Sequence, residues 1–300
     1  MQLTIWRFLD GNRAHEKQSA ALISGLRDCI GDTLDCYDIA PLTLFQLLRR
    51  GLPAELQQLP LPHFIVGAGH RSHWPMLLAR RRFGGRSVVI MKPSLPLCWF
   101  DFAIIPEHDR PPALANVIVS QGALTEPLPA GPTVAGRGLI LLGGPSKHFR
   151  WDGTKVQAVV EKLLQMPGDW IVSDSRRTPL GVLERLRGSG GKIFHWRDCP
   201  PDWLAEQLAQ AERIWVTGDS ISMLFEALQS RAQVGVIALP SRRRNNKVRA
   251  AVQRLLDQEM LVDALALEQG ECIKAVPREP LAQQRLCARA LLRRSGMVES

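Results

Sequence analysis

The chain lacks any apolar run of membrane length: its longest, Gly138 to Gly143 and Val234 to Leu239, fall far short of the ~20 residues a bilayer span needs. No transmembrane helix is expected. The opening Met1 to Arg7 lacks a charged segment followed by an apolar one and a small-residue cleavage site, so it reads as the first strand of the fold and the expected location is cytoplasmic. Cys29, Cys36, Cys98, Cys199, Cys272 and Cys287 form no C-x-x-C pair and no zinc-type spacing with histidine, which leaves buried free thiols as their reading. The G-x-x-x-x-G-K spacing of a phosphate-binding Walker loop is missing too.

What is present suits a globular protein. The 300 residues are 45% hydrophobic and 22% charged, long enough for two domains of about 150 residues each. A net charge of +9 favours anionic partners: nucleic acid, anionic lipid headgroups or phosphorylated small molecules.

Short apolar runs alternate with amphipathic helical stretches, the pattern of an α/β protein with parallel sheets. Strands are expected at Leu3 to Leu9, Phe64 to Gly67, Ser87 to Met91, Phe102 to Ile105 and Asn116 to Val119 in the first half. In the second half they fall at Leu139 to Leu142, Trp170 to Ser173, Lys192 to His195, Arg213 to Thr217 and Gly235 to Leu239. Proline and glycine break the stretch Glu126 to Gly136, which reads as a linker. Domains of residues 1–130 and 137–278 are expected, with a last helix in 279–300 crossing back to the first. Two such Rossmann-like domains facing across a cleft would bind ligands at the carboxyl ends of their strands.

Several strand ends carry chemistry. The turn Asp10 to Gln18 opens a helix and offers His15 as a general base. Gly67-Ala68-Gly69-His70-Arg71-Ser72 is similar to a dinucleotide fingerprint, but Ser72 replaces the third glycine and the next strand ends at Lys92, not at an acid for a ribose 2′-hydroxyl. Gly69, His70, Arg71 and His73 therefore read as a turn for an anionic or hydroxylated ligand, with surface basic residues as the plain alternative. Glu107, His108 and Asp109 lie at another strand end; adjacent residues rarely converge on one ion, so they make a weak metal site.

In the second half, Gly143, Gly144, Ser146 and Lys147 follow a buried strand, where glycine amides and an ammonium suit a diphosphate. Thr217-Gly218-Asp219-Ser220 leads into a helix that Ser220 or Ser222 would cap, and Glu226 lies one turn on from Ser222, placed for a ribose diol. A nucleophile elbow at Ser220 is excluded, because all seven histidines precede it. Arg176 and Arg177 reach a phosphate or sit in solvent. The basic loop Ser241 to Lys247 has no interleaved aromatics for stacking on bases.

Gly143 to Trp151, Ser175 to Pro179, Thr217 to Met223 and Pro106 to Asp109, four separated motifs in order, resemble the bacterial branch of the mitochondrial-fission ELM (elongated mitochondria) family. The resemblance spans roughly Asp10 to Leu239 and implies a GT-B-like fold related to glycosyltransferases. By that resemblance, Gly143-Gly144 and Ser220 to Glu226 belong to a donor-nucleotide half and His15 to an acceptor half. The chain is also similar to lipid-linked N-acetylglucosamine transferases, whose Gly-Gly-x-Gly-Gly-His loop stands here as Asp10-Gly11-Asn12-Arg13-Ala14-His15.

The expected activity is transfer of a sugar from a nucleotide-sugar donor to an acceptor hydroxyl, in cell-envelope glycolipid or polysaccharide synthesis. His15, with Glu107 or Asp109 as rivals, takes the acceptor proton. Ser146, Lys147, Arg176, Arg177, Asp219, Ser220 and Ser222 hold the leaving diphosphate, and Glu226 the ribose. No metal and no cofactor beyond the nucleotide-sugar substrate is expected. The alternative is a non-catalytic scaffold or nucleotide-binding protein. Leu42, Leu44, Phe45, Leu47 and Leu48 with Arg49 and Arg50, and Trp74, Met76, Leu77 and Leu78 with Arg80, Arg81 and Arg82, read either as core-facing helices or as peripheral contacts with an anionic inner membrane. Nucleic acid is not expected, since the basic residues are dispersed over helix surfaces.

Overall fold

A computed structural model describes residues 2–31, 33–242, 246–265 and 278–297. Arg243, Arg244, Asn245, Cys272 and Pro277 lie outside the described residues. The chain divides into two compact units, Met1–Pro127 with Ala282–Ser300, and Leu128–Leu281.

The N-terminal unit runs β1 (Leu3–Phe8), α1 (Arg13–Ile30), β2 (Leu34–Ile39), α2 (Leu44–Arg50), β3 (Phe64–Ala68), α3 (His73–Phe83), β4 (Arg86–Ile90), β5 (Phe102–Pro106) and β6 (Val117–Ser120). Its strands form one parallel sheet in the order β2-β1-β3-β4-β5-β6. In the second unit come β7 (Arg137–Leu141), α4 (Gly153–Leu164), β8 (Asp169–Ser173), α5 (Val182–Leu186), β9 (Lys192–Phe194), α6 (Trp203–Gln210), β10 (Arg213–Thr217), α7 (Ile221–Ala227), β11 (Gln233–Ile237), α8 (Lys247–Asp257) and β12 (Val262–Asp263). These strands are again parallel, ordered β12-β11-β10-β7-β8-β9. The last helix, α9 (Gln283–Arg294), is part of the N-terminal unit.

Burial on both faces explains why the central strands are continuous apolar runs. One face of the N-terminal sheet packs Leu3, Ile5, Val66, Val88 and Ile104 against Leu22 and Leu26 of α1 and Cys287, Leu291 and Leu292 of α9. Gly25 lets these two helices touch, since a β-carbon there would overlap the Gln284 carbonyl. The opposite face packs Trp6, Phe8, Ile65, Val89 and Ile105 under α2, α3 and the segments beside them.

Two strands escape the sequence pattern. β2 is an edge strand, so Asp35 and Asp38 stay hydrated and its apolar content drops. β12 is two residues long, too short for any alternation. The cysteines also depart from expectation: Cys287 is buried, Cys29, Cys36 and Cys199 are half-buried, and Cys98 is exposed. Burial pushes the Cys287 thiol up to about 12 and Cys36 up to about 11, the latter with help from the Asp38 charge.

In each sheet the strand order reverses once, between β1 and β3 and between β7 and β10. Loops leaving the carboxyl ends of such neighbouring strands diverge and open a crevice. The turns after β1, β3, β7 and β10 are therefore where ligands are sought.

Candidate functional site

In the N-terminal unit, β1 is followed two residues on by Asp10, whose carboxylate is only 3% exposed. Its Oδ1 accepts from the Asn12 amide at 2.9 Å, and its Oδ2 lies 2.6 Å from His15 Nδ1. Asn12 caps α1 through Ala14 N–H at 3.0 Å, placing His15 within the first turn of that helix. Asp10 accepts from Nδ1–H, which leaves the Nε2 lone pair of a neutral His15 for another proton. Asn12 Nδ2, 3.5 Å from Nε2, is a donor that fits the same tautomer.

β3 delivers Gly69 against this pair. Its φ of +85° and ψ of 155° belong to a region that only glycine enters readily, and a β-carbon would overlap Asp10 Oδ2 and His15 Nδ1. Asp10, Gly11, Asn12, Arg13, His15, His70 and Arg71 line a pocket of about 410 Å³. The arrangement is a carboxylate-oriented imidazole at a crevice with two arginines, which is chemistry for removing a proton from a ligand that carries negative charge.

His15, Gly69, His70 and Arg71 thus come together. His73 does not: it begins α3, is 3% exposed, faces Ser94 Oγ at 3.2 Å and packs edge-on against Phe100. Burial, reinforced by His70, lowers its pKa to about 4, so it stays neutral inside the core. Glu107 and Asp109 form a single 3-10 turn after β5, two strands from β3 in the sheet, and are not among the residues lining the pocket.

The C-terminal unit corrects another expectation. The amides of Gly143 and Gly144 are already taken: the first donates to Thr217 Oγ1 at 2.7 Å and the second to Asp219 Oδ2 at 3.1 Å. These glycines serve packing, since β-carbons would overlap the Asp219 carboxylate and the Arg177 carbonyl respectively. Asp219, buried, also accepts from Thr217 Oγ1 at 2.8 Å and pairs with Arg177 Nη2 at 2.7 Å. It ties three loops together. Ser146 Oγ is likewise occupied, accepting from the amides of His148 and Phe149, both at 3.2 Å.

Around this frame, Lys147 and Arg176 are exposed. Ser220 precedes α7 without a side-chain capping bond, and Ser222 is exposed on its first turn, so neither caps the helix. Glu226 is half-buried on the same helix.

A second imidazole–carboxylate pair was not anticipated. Asp174, after β8, accepts from Trp196 N–H at 2.8 Å and stands 2.7 Å from His195 Nδ1, after β9. Only the pairing of β8 with β9 joins residues 21 apart in the chain. Asp10 was missed for a subtler reason, although the signal existed: an acid closing a strand, five residues before a helical histidine.

Among the described residues no group of three or more His, Cys, Asp or Glu is placed to hold a metal ion. No described helix is long and apolar enough to cross a membrane.

The family described as Mitochondrial fission ELM1 matches residues 14–295. This chain belongs to that family. Its fold is shared with solved structures of low identity. One is a Listeria monocytogenes protein described as a UDP-N-acetylglucosamine 2-epimerase: TM-score 0.57, 12% identity, covering 97% of this chain and 95% of that one. Another is the UDP-GlcNAc 2-epimerase of Neisseria meningitidis bound to UDP-GlcNAc: TM-score 0.56, 9% identity, 97% and 99% covered. A third is CalG4, the calicheamicin glycosyltransferase: TM-score 0.50, 11% identity, 98% and 95% covered. No curated protein matches the sequence. This chain is α/β, built of two parallel six-stranded sheets with helices in the GT-B manner.

Proposed function

We propose that this ELM1-family protein transfers a sugar from a nucleotide-sugar donor to an acceptor hydroxyl. The single observation that carries the proposal is the Asp10–His15 pair at the strand-order reversal of the N-terminal unit, where a pocket meets an oriented imidazole. In this reading the acceptor hydroxyl gives its proton to His15 Nε2 as its oxygen attacks the anomeric carbon. The bond from that carbon to the diphosphate breaks, and the nucleoside diphosphate leaves with the electron pair. Asp10 holds the ring and stabilises the imidazolium.

The C-terminal unit takes the donor. Lys147 and Arg176 supply mobile positive charge for the leaving diphosphate, Ser220 and Ser222 supply hydroxyls, and Glu226 takes the ribose diol. Asp219 and Arg177 act by fixing the loops that carry these groups. Gly69, His70 and Arg71 flank the acceptor, which belongs to a cell-envelope glycolipid or polysaccharide made at the inner face of the membrane.

One solved structure of the same fold holds UDP-GlcNAc, so uridine diphosphate sugars are the first donors to test. Purified protein titrated with uridine, cytidine and guanosine diphosphates and their sugars is expected to bind one nucleotide class saturably. Absence of binding to every member of the panel overturns the proposal. Binding without transfer to any glycolipid or glycan acceptor replaces it with a nucleotide-binding protein.

A further inference from the structure

We propose that the outer side of the layer formed by α2, α3 and the turn at Leu97–Trp99 is a docking surface for an anionic lipid bilayer. α3 and the turn pack on one face of the N-terminal sheet, and Leu42 and Leu52, on either side of α2, pack on the same face. Their inward residues, among them Met76 and Ala79 of α3, fill the core against Trp6 and Ile65. Core packing leaves a second apolar set unused. Phe45 is 65% exposed, Leu48 78%, Trp74 44% and Trp99 42%, all on this layer.

Trp74 and Trp99 meet edge to face with centroids 5.9 Å apart, although one opens a helix and the other closes a turn. With Leu77, Leu78, Arg80 and Arg81 they line a groove of about 650 Å³. An exposed tryptophan pair beside arginines matches the demands of the headgroup region, which takes amphipathic rings at its apolar boundary and cations at its surface.

Charge identifies the occupant. The helices α2 and α3 carry five arginines, Arg49, Arg50, Arg80, Arg81 and Arg82, and no acid, a local charge of +5. Arg80 is held by Asp101 at 2.6 Å, whereas Arg81 and Arg82 are exposed and make no ion pair among the described residues. Arg49 lies over the Phe45 ring and Arg82 over the Phe83 ring, each arginine keeping its charge at the rim of an apolar side chain. A positive field on two helices that carry no acid of their own, beside a turn that like them presents apolar side chains, complements an extended anionic plane. The inference is independent of sugar transfer, because none of these residues lies in the pocket beside His15.

The test uses the full chain and phosphatidylcholine vesicles with and without phosphatidylglycerol. Flotation is expected only with the anionic vesicles and is lost at high salt. Each of Arg81→Ala and Arg82→Ala is expected to weaken partitioning about 5-fold. Brominated lipid is expected to quench part of the wild-type tryptophan emission, and that part disappears in the Trp74→Phe, Trp99→Phe double variant. Unfolding midpoints of all variants are measured alongside. Failure to bind anionic vesicles at low salt overturns the proposal, as does binding indifferent to these arginines or emission that lipid leaves unquenched. A dimer that Trp74→Ser and Trp99→Ser dissolve would also overturn it, by giving the surface to a second copy.

Discussion

Gly69 fits beside Asp10 only because it has no side chain: a β-carbon would overlap the carboxylate and the His15 ring together. Gly69→Ala is therefore expected to cost about 1–3 kcal/mol from backbone strain alone. It should also push His15 off Asp10. Urea unfolding reads the first effect, and a transfer assay at a temperature where the variant is folded reads the second.

Asp10→Asn probes orientation. An asparagine amide turned toward Nδ1 would place the imidazole proton on Nε2, the wrong tautomer for a base. The expected result is a transfer rate about 10²- to 10⁴-fold lower with nucleotide affinity unchanged. His15→Asn should match it, and the double variant should be no worse than either single one, because the two residues act as one unit.

His73 ties stability to pH. Its folded pKa of about 4 lies below the ordinary 6.5, so the unfolded chain binds the extra proton between those values. Stability from this group is complete above pH 6.5, falls as pH drops through the window and levels off below about 4, a loss of up to about 3 kcal/mol. His73→Leu is expected to flatten that part of the profile in urea unfolding.

Asp219→Ala leaves the Gly144 amide and the Thr217 hydroxyl without their shared acceptor and releases Arg177. A cost of about 3 kcal/mol is expected, since the lost acceptor is charged and buried. Nucleotide affinity should fall with it. Arg177→Ala, which removes a half-exposed partner, should cost much less; equal losses would show that the ion pair, and not the amide frame, holds the loops.

The parallel sheets were legible because strands buried on both sides must be apolar throughout, as Phe64 to Ala68 and Ile214 to Val216 are. Edge strand β2 was not, since Asp35 and Asp38 interrupt its apolar run, and Arg7 holds Asp38 from the neighbouring strand. In the candidate site, His15 and Gly69 stood out from their turns, but their meeting depends on β1 pairing with β3. Gly143 and Gly144 misled for the opposite reason. Paired glycines signal close approach, and only coordinates show that a carboxylate and a carbonyl of the protein itself do the approaching. His73 looked like its neighbour His70, because a sequence does not show which side of a helix start turns inward.

Because α9 packs on α1 while its residues follow those of the entire second unit, the N-terminal unit is assembled from two stretches of chain with the second unit between them. During synthesis the side of Leu22 and Leu26 that α9 covers stays open until the residues of the second unit have been made. The half that holds Asp10 and His15 therefore completes its core only with residues translated after the second unit.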